Sequence, residues 1–144
     1  MQTVAQLLKH KGGGIYSVEP DAPVIEAIRL MAEHSCGALL VMHEERLVGV
    51  VSERDYARKV ILRGFSSSDI PVRQIMSSPV VTVRSDQNVH DCMQLMTEKH
   101  FRHLPVVERD HGRVIGVLSI GDLVRAVLEE QKQQIEDLER YIRS

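Results

Sequence analysis

Apolar residues recur along this chain with two different periods, and the points where one period replaces the other divide it into elements. Val24, Ile28 and Met31, with Ala27 and Ala32 beside them, follow the i, i+4, i+7 spacing of a helix that buries one face. Ala38-Leu39-Leu40-Val41-Met42 and Leu47-Val48-Gly49-Val50-Val51 are short apolar runs around a polar His43-Glu44-Glu45-Arg46 turn. This is the pattern of a strand, a hairpin and a second strand. Ser52 then stands where a helix N-cap belongs, ahead of Asp55–Leu62. Further along, Val89, Met93 and Met96 repeat the helical spacing, and Leu104–Val107 with Val114–Leu118 repeat the strands. Ser119 again precedes a helix, here from Asp122 onward. Gly12-Gly13-Gly14 reads as a hinge, Arg63-Gly64-Phe65-Ser66-Ser67-Ser68 as a linker, and Pro71 restarts a short helix at its first turn.

The second half therefore copies the first. Val18-Glu19-Pro20-Asp21 answers to Val83-Arg84-Ser85-Asp86 at an offset of 65 residues, which also carries Val24 to Val89, Ile28 to Met93, Met31 to Met96, Leu39 to Leu104 and Val41 to Val106. Gly49-Val50-Val51-Ser52 then matches Gly116-Val117-Leu118-Ser119 at an offset of 67, and Asp55 matches Asp122. The two extra residues fall in Glu108–Arg113, read as a solvated hairpin tip, where an insertion costs little. The lead-ins agree as well, Val4-Ala5-Gln6-Leu7-Leu8 with Val72-Arg73-Gln74-Ile75-Met76. A copy of about 60 residues buries only marginal surface alone, so the two sheets are expected to pack face to face.

Composition narrows the function classes. Of 144 residues, 43% are apolar and only 3% aromatic, so the core must come from Val, Ile, Leu, Met and Ala. A net charge of −2 argues against a broad nucleic-acid surface, and no apolar run approaches the ~20 residues of a membrane span. The N-terminal residues lack the basic and apolar regions of a signal peptide. Cys36 and Cys92 have no metal-ligand or CxxC spacing and read as reduced core residues of a cytoplasmic protein. No pair of histidines shares a helix face, so a metal site is not expected. No nucleophile, base or paired-carboxylate constellation supports an enzyme, and neither common Gly-rich phosphate loop is present.

With the repeat, the hairpins and the Gly-x-x-Ser-x-x-Asp endings, the chain resembles a cystathionine-β-synthase (CBS) domain pair of the stand-alone bacterial kind. The resemblance runs from about residue 3 to 129 and is sharpest at Pro79-Val80-Val81-Thr82-Val83, Arg102-His103-Leu104-Pro105-Val106-Val107 and Gly116–Leu123. It implies an α+β fold of two pseudo-twofold-related β-α-β-β-α modules. These are expected over 1–70, including lead-in and linker, and 71–129, with a helical extension over 130–144. It also implies a sensor of an adenosine derivative, without catalytic cofactor, that forms a homodimer.

The candidate site follows from that implication. A fixed carboxylate accepts hydrogen bonds from both hydroxyls of a ribose. Asp55 and Asp122 each lie three residues after a serine, at the positive end of a helix. Ser52 and Ser119 join them as ligand groups, although the same spacing is also a plain helix cap. The family places the second copy's Arg102 and His103 toward the ligand held by Asp55, where they would take its phosphate. Leu104 and Pro105 follow them. The mirrored site of Ser119 and Asp122 meets small Gly37 and Ala38, with less positive charge unless Arg54 turns inward. Adenine would be read by backbone at Tyr16, Ser17 and Val18 or at Val81, Thr82 and Val83. A single phosphate cluster ranks AMP first and NAD(H) second, ahead of ATP, ADP and S-adenosylmethionine. The competing class is a constitutive scaffold without ligand.

At the C-terminus, Leu128, Ile135 and Ile142 are seven residues apart, with Leu138 at one intermediate position and Gln131 at the other. This is an amphipathic helix with a short coiled-coil-like seam, too short to hold a dimer alone, which either supplements a dimer formed by the modules or docks back on them. An effector protein is expected as a partner, with no exposed motif to identify it.

Overall fold

The computed structural model describes residues 2–12, 14–108 and 112–143; the hairpin tip expected at Arg109-Asp110-His111 lies outside them. The chain forms two compact α+β units, a central one of Ile15–Val81 and a terminal one of Met1–Gly14 with Thr82–Ser144.

In the central unit, β1 (Ser17–Val18) runs parallel to β2 (Ala38–His43), which pairs antiparallel with β3 (Arg46–Ser52). Glu44 and Glu45, both at positive φ (49° and 68°), make the two-residue hairpin turn. The helix between β1 and β2, α2 (Val24–His34), buries Val24, Ala27 and Met31 against Leu39, Val41 and Val51. Its buried face is thus rotated from the expected one, with Ile28 at the flank. Ala27 is fully buried there. The following helix is irregular: α3 (Glu53–Tyr56) passes into a wider-wound turn over Ala57–Ile61. The restart after Pro71 is a single tight turn, Val72–Gln74.

The terminal unit repeats the plan with β4 (Val83–Arg84), α4 (Val89–Lys99), β5 (His103–Val107) and β6 (Val114–Ser119). The ladder shifts at Val106/Val107 as it does at Val41/Met42 in the first copy. Cys92 takes the place of Ala27 on the buried face, and Met93 sits at the flank. Pro105, opposite Leu40 in the repeat, has no N–H to donate. Leu40 N–H bonds the Tyr16 carbonyl at 3.2 Å, whereas the β4 pairing begins one residue later, at Val83. The last strand leads into one continuous 24-residue helix, α5 (Ile120–Arg143).

Each lead-in belongs to the other copy's sheet. In the terminal unit, the first helix, α1 (Val4–Lys11), is held where Val4 N–H bonds Gln87 O (2.8 Å) and Ala5 N–H bonds Ser85 O (2.9 Å). In the central unit, Val72 N–H bonds Ala22 O (2.8 Å) and Arg73 N–H bonds Pro20 O (2.9 Å), the same two bonds one repeat earlier. Glycines make the seats. A Cβ on Gly116 would lie 2.7 Å from Leu8 Cδ2, and one on Gly49 2.5 Å from Met76 Sδ. Gly116→Ala is therefore expected to destabilise the fold by about 1–3 kcal/mol through overpacking, read as a lower urea midpoint. Ala at Gly112, with nothing within 4 Å, serves as the control, although its φ of +66° adds some backbone strain of its own.

Candidate functional site

Both Ser–Asp pairs form helix starts of the same construction. In the central unit, Asp55 N–H donates to Ser52 Oγ (3.2 Å), and Asp55 Oδ2 accepts from Ser52 N–H (2.9 Å) and Oγ–H (3.0 Å). In the terminal unit, Asp122 N–H donates to Ser119 Oγ (3.2 Å), and Asp122 Oδ2 accepts from Ser119 N–H (2.8 Å). The reciprocal bonds fix each carboxylate at the first turn of its helix, where the unpaired N–H groups favour negative charge.

A lysine completes each pair. Lys59 Nζ lies 3.3 Å from Asp55 Oδ1 and donates to the Ile75 carbonyl of the neighbouring lead-in (2.9 Å). Lys11, at the end of α1, reaches Asp122 Oδ2 (2.8 Å) and the Val117 carbonyl (2.6 Å). Arg125 adds a bond to Asp122 Oδ1 (2.7 Å). The Asp122 side chain is only 7% exposed. It borders a cavity of about 540 Å³ lined by Gln2, Leu7, His10 and Lys11 on one side and Arg125, Ala126 and Glu129 on the other. Within its own unit Asp122 thus has basic surroundings, because Lys11 and Arg125 both bond it and His10 lies in the same wall. Lys59 and Arg125 stand one helical turn from their aspartates, a spacing visible in sequence. Lys11 is 111 positions from Asp122 and gave no such signal.

The other expected residues fall around these starts. Ala38 pairs with Ser52 across the strands, and Gly37 O accepts from Glu53 N–H (3.0 Å). Tyr16 precedes β1 with its ring stacked on His34 at 3.7 Å, Ser17 and Val18 form β1, and Arg54 is exposed on α3. In the terminal unit, His103 pairs with Ser119, and Arg102 O accepts from Ile120 N–H (2.9 Å). Arg102 and His103 thus stand beside the serine of their own sheet. Leu104, Pro105 and Val83 are buried, Val81 is half-buried and Thr82 exposed.

The family profile of the CBS domain matches residues 13–62 and 72–129, the two copies described above. The chain belongs to the CBS domain family. A protein with CBS domains from Burkholderia ambifaria has a solved structure 48% identical to this chain, with a TM-score of 0.84 over 90% of this chain and 96% of that one. The mitochondrial CBS domain-containing protein CBSX3 of Arabidopsis thaliana is 38% identical over 97% of this chain and 71% of its own length. CBSX2, crystallised in complex with AMP, is 30% identical, with a TM-score of 0.70 over 91% of this chain and 99% of that one.

Two titrations bear on the chemistry of this CBS pair. Burial alone would raise the Asp122 carboxyl. The hydrogen bonds and charge of Lys11, with the Ser119 N–H, outweigh it and hold the group below its ordinary value of 3.8. Burial, then the charge of Asp91, pushes the Cys92 thiol up to about 11, so it stays protonated and inert. Among the described residues, no three His, Cys, Asp or Glu cluster as metal ligands, and no helix is long and apolar enough to cross a membrane. A depressed carboxyl contributes stability above its unfolded pKa and loses it as pH falls through the folded one. Urea midpoints taken from about pH 6 to 2.5 should therefore fall less steeply on the acid side in Asp122→Asn than in the parent chain.

Proposed function

We propose that this CBS pair is a non-catalytic regulatory module that binds an adenine nucleotide, with AMP as the leading ligand and NAD(H) next. The observation that carries the reading is the same fixed carboxylate, built twice, each with a lysine on it. A ribose diol offers two hydroxyl donors, which suit the oxygens that Lys59, or Lys11 and Arg125, now occupy. A cation displaced by the sugar becomes a partner for the phosphate, and arginine's planar fork adds a second hydrogen bond. Arg102 and His103 keep their assignment as phosphate groups, and the backbone at Tyr16–Val18 and Val81–Val83 its assignment to adenine. The AMP complex of CBSX2 supports the ligand class. Occupancy acts on an effector protein, with the chain as a homodimer, through different affinities of the nucleotide for two states. Cys36 and Cys92, both free, fit a reducing compartment such as the cytoplasm.

Thermal unfolding against AMP, ADP, ATP, NAD⁺, NADH and S-adenosylmethionine tests the reading. A ligand at ~100 times its dissociation constant stabilises the fold by about 2.7 kcal/mol, several degrees for this size. The shift should vanish in Asp55→Ala or Asp122→Ala, according to the site used. Lys11→Met should weaken AMP at the Asp122 site by about tenfold and leave adenosine nearly unaffected. No shift with any nucleotide, in protein shown to be nucleotide-free, would make both carboxylates helix caps of a constitutive scaffold.

A further inference from the structure

Helix α5 carries an apolar stripe that its own unit does not cover. The helix packs on the unit through Leu123, with Ala126, Val127 and Glu130 half-buried. At 3.6 residues per turn, Val124, Leu128, Ile135, Leu138 and Ile142 lie about a quarter turn from that face. Their exposures are 41, 58, 57, 62 and 79%. From Gln131 to Arg143 every residue is exposed. In heptad terms Leu128, Ile135 and Ile142 occupy a, Gln131 and Leu138 occupy d, and Lys132 and Glu139 occupy the flanking e positions.

We propose that residues 130–143 of α5 pair antiparallel with the same segment of a second copy. Charge selects both the occupant and the direction. An antiparallel pair layers a against d and sets e beside e. With Ile135 against the partner's Leu138, Lys132 falls beside the partner's Glu139, and symmetry supplies the same pair again. Sliding by a heptad one way sets Glu139 against Glu139; the other way sets Lys132 against Lys132 and brings Glu139 to Arg125, which is already bonded to Asp122. A parallel pair sets e beside g, where Lys132 meets Val127 and Glu139 meets Gln134, with no opposite charges. The antiparallel overlap also uses only the end of α5 beyond the packed segment. Three apolar side chains per helix make a weak seam alone, which therefore adds to other contacts of the dimer. The inference deepens the homodimer reading above and is independent of nucleotide binding.

The test is the dimer dissociation constant of the full chain, from sedimentation over a range of concentrations. Lys132→Glu and Glu139→Lys should each weaken the dimer by about tenfold, since two attractive pairs become repulsive. The double variant should return to the parent value, which a parallel pair or a general surface effect would not produce. Leu138→Asp should weaken it further while its circular dichroism stays that of the parent chain. A dimer indifferent to all four variants would overturn the α5 seam and leave the homodimer reading in place. A chain that stays monomeric at every concentration would overturn both.

Discussion

Two backbone hydrogen bonds recur at the foot of each sheet, and the rest of the structure hangs from them. Val4 and Ala5 donate to the loop before α4, and Val72 and Arg73 donate to the loop before α2. They tie each lead-in to the other copy's sheet, over the glycine that lets it approach. Lys11 meets Asp122 only because α1 is held there, and Lys59 meets the Ile75 carbonyl only because the second lead-in returns to the first sheet. The exchange of lead-ins thus sets both the core and the charge around each carboxylate.

The two carboxylates show how one local device serves structure and recognition together. A serine and an aspartate three residues apart satisfy helix-end N–H groups, which is sufficient reason for the motif in any helix. The same bonds leave the second carboxylate oxygen to a cation one helical turn on, Lys59 in the central unit and Arg125 in the terminal one, while a lysine reaches each carboxylate. The two sites differ in the source of the lysine. Lys59 comes from the same helix as its aspartate, whereas Lys11 comes from the far end of the chain, and Arg125 joins it. Within its own unit Asp122 bonds two cations to the one of Asp55, and its side chain is 7% exposed against 15%.

Most of the fold was legible because the repeat reports twice on every element. The hairpins and the serine caps followed from period and turn chemistry, and the β-α-β-β-α order from the family resemblance. The buried face of α2 did not, because Ala27 and Ile28 are both apolar, and the spacing alone does not say which one is enclosed. The assignment of Lys11 was also invisible. Sequence places the lead-in next to the copy it precedes, and nothing in Val4–Leu8 says that it crosses to the other. Local spacing can reveal Lys59 and Arg125; a contact spanning 111 positions leaves no trace in one sequence.

The same connectivity sets an order of assembly. The central unit is a continuous stretch of chain, so it has all its strands and its lead-in once Val81 has left the ribosome. The terminal unit is built from two separate stretches, and α1, though made before the central unit, has no seat until Ser85, Gln87 and Gly116 exist. During synthesis the first helix waits for the last strand. Its apolar residues, Val4 and Leu7, stay uncovered while the central unit and the last strand are made.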